Sequence, residues 1–217
     1  ADHVLDHRVF QFPEIIEKFK GPLPQAGERL ALATSLPSPR TLKTHMPFSL
    51  LPPKLLDTCK VIYLARNPRD VVVSYYHHHR MWLTHGFTVM WSPFWSHLGE
   101  AWERREHTNL LLLTYEQLKE DLPAVIKKVA LFLGKPISED NMKTLTAHLH
   151  IDSMKNNPAV NAVAEAENGL LDLREGGFVR QGKLGGWREY FDDEMSSRFD
   201  RWIRDKGQGL DEKFNWT

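Results

Sequence analysis

Residues 59–81 contain a strand-to-helix junction, and this junction restricts the fold more than any other feature of the chain. The apolar run at 60–66 is typical of a buried strand. Asn67 can then cap a helix, Pro68 suits the first helical position, and Asp70 complements the positive end of the helix dipole. The pattern predicts a strand that runs directly into a helix, as in an α/β sheet.

Arg66 is therefore expected at the carboxyl end of a strand and beside a helix N-terminus. In open α/β sheets, anionic ligands bind at this position. Ser74 lies near two turns into the helix, roughly on the face of Asn67 and Asp70 at about 3.6 residues per turn. An arginine and a hydroxyl could thus converge on one phosphate. A surface arginine with a capping asparagine explains this geometry equally well.

The rest of the chain alternates helical patterns with apolar runs. Residues 109–115 form a continuous apolar segment that suits a central parallel strand, and residues 41–45 alternate like a short strand. Together these patterns predict an α/β fold of three layers, with a mostly parallel central sheet flanked by helices. Residues 157–186 lack clear periodicity and are expected to form a long loop. Helical patterns cover 14–19, 52–57, 68–84, 92–107, 123–134, 138–149 and 192–206, the last closing at Gly207.

Length and composition indicate one globular domain over residues 1–217. Lys and Arg number 28, and Asp and Glu number 28, so the balance gives no bulk attraction to nucleic acid or membranes. No apolar run approaches the roughly 18–20 residues of a membrane span. The single cysteine, Cys59, excludes an intrachain disulfide framework and favours a cytoplasmic location. Neither nucleic acid nor a membrane is expected as a partner.

Lys43 and His45 are a candidate catalytic pair. On a strand over 41–45, both side chains would point to the same face. A neighbouring lysine favours the neutral, basic form of an imidazole, and a general base that deprotonates a hydroxyl group needs that form. A strand-end histidine with a structural hydrogen bond is the alternative, and it is the favoured one if this motif is taken alone.

Residues 177–184 (GFVRQGKL) look like a Walker A loop, but Leu184 replaces the Ser or Thr that would bind magnesium. No apolar strand leads into this segment, so we reject a magnesium-dependent NTPase. Arg180 and the glycine N–H groups still offer a second anion clamp. The three histidines at 77–79 point about 100° apart on a helix and cannot share one ion, so no metal site is expected.

An aromatic-rich stretch between two predicted helices is a candidate pocket for a small molecule. Core and helix packing is the more common role of such residues. A binding role is the alternative, because small-molecule sites are mostly apolar with a few polar groups. The candidate acceptor-binding residues are Met81, Trp82, Phe87 and Trp91.

Four segments between about residues 37 and 199 resemble motifs of the cytosolic sulfotransferases, in the family's order and spacing. LKTHMP is similar to the catalytic strand motif. YLARNPRDVVVSYYHH is similar to the signature for the 3′-phosphate of the sulfuryl donor, 3′-phosphoadenosine 5′-phosphosulfate (PAPS). LTYE resembles the segment whose tyrosine reaches the adenine, and FVRQGKLGGWREYF resembles the RKGxxGDWK motif. The resemblance implies a P-loop-NTPase-like sulfotransferase fold.

The resemblance also implies a role for each matching residue. His45 would take the proton of the acceptor, and Lys43 would be a positioning cation. Arg66 and Ser74 would hold the 3′-phosphate of the donor. The other donor-binding positions, at the phosphate and around the adenine, would be Tyr115, Leu149, Ile151, Met154, Phe178, Arg180, Gln181 and Gly182.

The chain departs from the family pattern in three respects. A loop of the TYPKSGTTW type, which cradles the 5′-phosphosulfate and supplies a lysine, is absent from residues 1–25. The chain is therefore expected to be a family member without its first portion. Gln181 stands where a Lys is usual, and Gly186 stands where an Asp is usual. The family's dimer motif is not recognisable in 188–198, so a monomer or a weak homodimer is expected.

The activity implied by the resemblance is sulfonyl transfer from PAPS to a hydroxyl or amine of a small apolar acceptor. The nucleotide product would be 3′-phosphoadenosine 5′-phosphate (PAP), and the scheme needs no metal. One alternative is a protein that binds 3′-phosphoadenosine nucleotides without turnover. A second is an enzyme that dehydrates an alcohol through transient sulfonation. A phosphotransferase is disfavoured by Leu184 and by the missing GK[ST] sequence.

Overall fold

The structure is a computed structural model that contains a parallel pair of strands. Strand β1 (Val61–Ala65) pairs with β2 (Leu110–Thr114), and the register runs from Val61 opposite Leu110 to Ala65 opposite Thr114. Parallel strands need a crossover connection, which is usually helical. The structure describes residues 35, 37–81, 93–158, 160–161, 163–167, 169, 171–172, 174, 176–214 and 216.

Helices precede, separate and follow the two strands, which confirms the predicted α/β class with a parallel sheet flanked by helices. None of the described helices combines the length and hydropathy needed to cross a bilayer. Short 3₁₀ turns occupy Phe48–Leu50 and Gly186–Glu189. The helices are α1 (Leu55–Thr58), α2 (Pro68–Met81), α3 (Phe94–Glu103), α4 (Tyr115–Glu120), α5 (Leu122–Leu133), α6 (Glu139–His148), α7 (Ile151–Lys155), α8 (Val163–Glu167), α9 (Asp193–Gly207) and α10 (Leu210–Phe214).

The described residues group into two compact units. Those within 1–45, 77–88 and 155–180 form the first unit, and those within 46–76, 89–154 and 181–217 form the second. The second unit contains the sheet and a buried apolar cluster around α3, in which Leu98 is 1% exposed. The cluster joins strand and helix residues and consists of Ala65, Trp95, Leu98, Ile203 and Phe214.

Gly207 has a different role from the one its sequence position predicts. It is the last residue of α9 rather than the residue that stops the helix, and Gln208 adopts the left-handed cap conformation with φ of 50°. A Cβ at Gly207 would lie 3.3 Å from the ring of Trp95. A glycine suits this position because α9 approaches the core tryptophan closely, and the next residue, Gln208, takes the cap.

Three further expectations from the sequence need correction. Residues 41–45 form no strand, because alternation alone does not make a β-ladder without a partner. The segment 157–186 contains the short helix α8. Strand β1 is half-buried rather than buried, because alternate side chains point to opposite faces and those of Ile62 and Leu64 are 42% and 52% exposed.

Candidate functional site

Arg66 follows β1 directly and is the centre of the candidate site in the second unit. Its guanidinium carbon lies 4.4 Å from the centroid of the Tyr115 ring. Its Nη2 donates a hydrogen bond to the Lys183 carbonyl at 3.0 Å and lies 3.8 Å from Asp70 Oδ2. The Nε atom of Arg66 is buried and has no hydrogen-bond partner among the described residues. A buried N–H of this kind needs an acceptor, and a bound anion would supply one.

The start of α2 is fixed by Asn67 and Glu116. The Asn67 side chain accepts a hydrogen bond from the Arg69 N–H at 2.9 Å, as the sequence predicts for an N-cap. The Asn67 N–H donates to Glu116 Oε1 at 3.0 Å. Glu116 is only 7% exposed, so this carboxylate ties the beginning of α2 to the beginning of α4. The sequence gives no signal for this bond, because 49 residues separate the two positions.

Tyr115 is positioned by the junction between β2 and α4. Thr114 ends the strand and also caps the helix through a capping box with Gln117. Burial raises the pKa of the Tyr115 hydroxyl, the guanidinium of Arg66 opposes this effect, and nearby carboxylates add to it. The phenol therefore remains protonated at neutral pH and can donate a hydrogen bond to a ligand.

Gly182 makes a close approach to two other predicted donor-binding residues. Its φ is +63°, a conformation that glycine adopts without strain. A Cβ at Gly182 would lie 2.8 Å from Ile151 Cδ1 and 3.4 Å from the Tyr115 hydroxyl oxygen. The structure thus brings Tyr115, Ile151 and Gly182 together, and Arg66 lies against the ring of Tyr115.

Asp70 makes contacts that the sequence analysis did not anticipate. It was predicted only as an acid that complements the dipole of α2. Its carboxylate is 4% exposed and accepts hydrogen bonds from the Gly185 N–H at 2.8 Å and from the Trp187 N–H at 3.1 Å. The partners lie 115 and 117 residues further along the chain. One side chain therefore holds a distant loop against the first turn of α2.

The other predicted donor-binding residues of the second unit are exposed on its surface or are partly buried. Ser74 is exposed on α2. Gln181 is exposed and Leu149 is 39% exposed. Met154 is half-buried.

The first unit contains the predicted catalytic pair and part of the remaining predicted site. Lys43 and His45 are exposed on a segment without regular structure. Arg180 is half-buried, and the rings of Phe178 and His78 form a T-shaped pair with 5.8 Å between their centroids. Met81 is 3% exposed. The other predicted acceptor-binding residues lie outside the described part of the chain and are Trp82, Phe87 and Trp91.

Within the described ranges, no three His, Cys, Asp or Glu side chains are grouped so that they could hold one metal ion. The described candidate site instead consists of a guanidinium, a phenol, a tight glycine turn and buried carboxylates that hold backbone N–H groups. Such a set suits an anionic ligand with an aromatic group, because guanidinium binds phosphate and aromatic rings bind by stacking.

Comparisons with known proteins agree with the resemblance seen in the sequence. A family model described as a sulfotransferase domain matches residues 4–211. Luciferin sulfotransferase of Photinus pyralis is 34% identical over 215 residues, which cover 90% of this chain and 58% of that protein. Human sulfotransferase 1C2 is 34% identical over 214 residues, covering 92% and 71%. The chain thus spans little more than half the length of the Photinus relative.

Solved structures give the same result. Retinol dehydratase in complex with androsterone and PAP matches with a TM-score of 0.73 and 40% identity, covering 81% of this chain and 56% of that one. Mouse sulfotransferase SULT7A1 with PAP matches with a TM-score of 0.72 and 24% identity, covering 92% and 82%. The second match supports the fold alone.

Proposed function

Since the chain belongs to the sulfotransferase family, we propose that the protein transfers a sulfonyl group from PAPS to a hydroxyl or amine of a small apolar acceptor. The observation that carries this proposal is the buried Nε of Arg66, which has no acceptor among the described residues. The same guanidinium lies 4.4 Å from the ring centroid of Tyr115. A 3′-phosphate would supply the missing hydrogen-bond acceptor for Nε, and the adenine of the same nucleotide would contact the ring of Tyr115.

Donor binding in this proposal uses the residues of the sequence motifs. Arg66, Ser74 and Arg180 would contribute charge and a hydroxyl to the 3′-phosphate, with Gln181 and the N–H of Gly182 beside them. Charge-assisted hydrogen bonds are about twice as strong as neutral ones, so the 3′-phosphate should supply much of the affinity. The adenine pocket would be formed by Tyr115, Leu149, Ile151, Met154 and Phe178.

The chemical step is an in-line displacement at sulfur. His45 removes the proton from the acceptor, the acceptor oxygen or nitrogen attacks the sulfur, and PAP leaves with the electrons of the broken S–O bond. Lys43 is a positioning cation that offsets charge on the sulfuryl oxygens. The acceptor would bind among Met81, Trp82, Phe87 and Trp91. We also propose a cytoplasmic location and a monomer or weak homodimer.

The donor site can be tested by calorimetry on the complete protein. PAP should bind far more tightly than AMP, and Arg66→Met should remove most of that difference. Arg105→Met is a suitable control, because Arg105, like Arg66, lies over an aromatic ring and near a carboxylate, those of Trp102 and Glu106. Equal affinities of the wild type for PAP and AMP would contradict the proposed 3′-phosphate site.

Turnover tests the assignment of His45. His45→Ala should lower kcat by at least ~10²-fold, the low end for acid–base catalysis, and should leave the affinity for PAP nearly unchanged. Near-wild-type turnover would reject the role of His45. PAP binding without any turnover by the complete wild-type protein would favour the non-catalytic alternative.

A dehydratase is the second candidate, favoured by the 40% identity to retinol dehydratase. In that reaction the sulfonated alcohol would eliminate sulfate to form an alkene. Mass spectrometry of the products formed from alcohols and PAPS distinguishes the two outcomes. A stable sulfate ester supports the transferase, and an alkene with free sulfate supports the dehydratase.

A further inference from the structure

The loop 183–187 is attached at three points to Arg66 and to Asp70, which lies in the first turn of α2. Arg66 Nη2 donates to the Lys183 carbonyl at 3.0 Å. Asp70 accepts hydrogen bonds from the N–H groups of Gly185 and Trp187, at 2.8 and 3.1 Å. All of these residues belong to the second unit. The loop is therefore fixed by backbone groups, and two of its three bonds end on a single carboxylate.

A carboxylate suits this position for a physical reason. It has two acceptor oxygens and no donor, and each oxygen of Asp70 takes one of the two N–H groups. Gly185, with φ of +69°, allows the turn that aims both N–H groups in the same direction. The side chain of Asp70 is 4% exposed, so water competes weakly for these bonds. An asparagine would present an amide donor to one of the N–H groups.

Two of the residues proposed to contact the 3′-phosphate immediately precede this loop. Gln181 and Gly182 adjoin Lys183 in the chain, and Arg66 itself bonds to the Lys183 carbonyl. Asp70 Oδ2 also lies 3.8 Å from Arg66 Nη2. A change in the loop would therefore displace both the glycine turn and the guanidinium.

We propose that Asp70 is a positioning residue that holds the loop 183–187 on α2 and thereby places Arg66 and Gly182 for the 3′-phosphate of the nucleotide. The inference rests on the proposed donor site. Asp70 does not contact the nucleotide in this scheme. It acts through the backbone N–H groups of Gly185 and Trp187.

The experiment compares Asp70→Asn and Asp70→Ala with Asp121→Ala. The control removes another carboxylate of the second unit that accepts a backbone N–H, that of Ala124 at 2.9 Å. Amide hydrogen exchange is measured first, on the protein without nucleotide. The N–H groups of Gly185 and Trp187 should exchange at least ~10-fold faster in both Asp70 variants, since bonds to charged groups are lost. Their exchange should be unchanged in Asp121→Ala.

Affinities for PAP and AMP are measured next on the same variants. Asp70→Asn should weaken PAP binding ~10-fold and AMP binding much less, because only PAP carries the 3′-phosphate. A general loss of protein stability would weaken the binding of both nucleotides alike. The Asn variant keeps the side-chain volume, so the comparison remains possible if Asp70→Ala does not fold.

Each outcome decides a separate part of the inference. Unchanged exchange of Gly185 and Trp187 in Asp70→Asn would overturn the role of Asp70 in holding the loop. Faster exchange with an unchanged ratio of PAP to AMP affinity would overturn its role at the phosphate. Equal wild-type affinities for the two nucleotides would overturn the proposed donor site itself, and the exchange rates would still decide whether Asp70 holds the loop.

Discussion

Gly182→Ala should destabilise the protein by about 1.5–3.5 kcal/mol, the sum of two costs. The first is the left-handed backbone with φ of +63°, which costs a residue with a side chain about 1–2 kcal/mol. The second is the new Cβ, which would lie 2.8 Å from Ile151 Cδ1. Because that atom ends a flexible side chain, it can move, and an off-rotamer shift costs about 0.5–1.5 kcal/mol. PAP affinity should fall as well, because the turn adjoins the Tyr115 hydroxyl.

Gly134→Ala separates the two costs. Gly134 has φ of +68° and no atom within 4 Å of an added Cβ, so its substitution carries the backbone cost alone. The excess destabilisation of Gly182→Ala over Gly134→Ala therefore measures the contact with Ile151. That excess should be about 0.5–1.5 kcal/mol.

A double-mutant cycle with Ile151→Val provides an independent check. Valine lacks the Cδ1 atom that the new Cβ would meet. Ile151→Val alone should cost about 0.5–1.5 kcal/mol for the lost methylene, and it should cost less in the Gly182→Ala background, where it also relieves the contact. The free energies of unfolding come from urea titrations, and PAP affinities from calorimetry. Equal costs for Gly182→Ala and Gly134→Ala, with no coupling to Ile151, would refute the close approach.

Two pH-dependent predictions follow from shifted pKa values. Burial, with the carboxylate of Glu100, raises the pKa of Tyr63 above its usual 10.0, so the stabilising contribution of this phenol is complete below about pH 10 and is lost as the pH rises further. In urea titrations at alkaline pH, Tyr63→Phe should therefore lose less stability than the wild type. Equal losses in the two proteins would contradict this prediction. Hydrogen bonds from Arg174 lower the pKa of Asp172 from 3.8 to about 2, so its contribution is present above about pH 4 and is lost as the pH falls through about 2. Arg174→Met should return the Asp172 pKa, measured by NMR, to near 3.8, and an unchanged value would show that Arg174 is not the cause.

Features with local signals could be predicted from the sequence. Asn67 caps α2, Ser138 caps α6, and Gly134 ends α5 in the left-handed conformation. Each signal acts within one helical turn of its residue, so a short window of sequence contains both partners. The position of Arg66 after β1 follows in the same way from an apolar run next to a helix start.

Features that depend on distant partners could not be predicted. Asp70 reads as an ordinary helix-start acid and Glu116 only as part of the LTYE motif. Each is nevertheless buried and bonds to a backbone N–H far away in the sequence. Gly207 reads as a helix stop, whereas the nearby ring of Trp95 explains it. The strand expected at 41–45 failed for the same reason, because a strand needs a partner that the segment itself does not specify.

The direct passage from β2 into α4 has a mechanical consequence. Thr114 is the last strand residue and the helix cap at once, so no loop separates the sheet from Tyr115. Loops normally absorb small displacements between neighbouring elements. At this junction, a shift or twist of β2 relative to β1 would move the phenol ring directly. The strand pairing between Ala65 and Thr114 therefore fixes the position of Arg66 relative to Tyr115, because these two residues follow the paired ones.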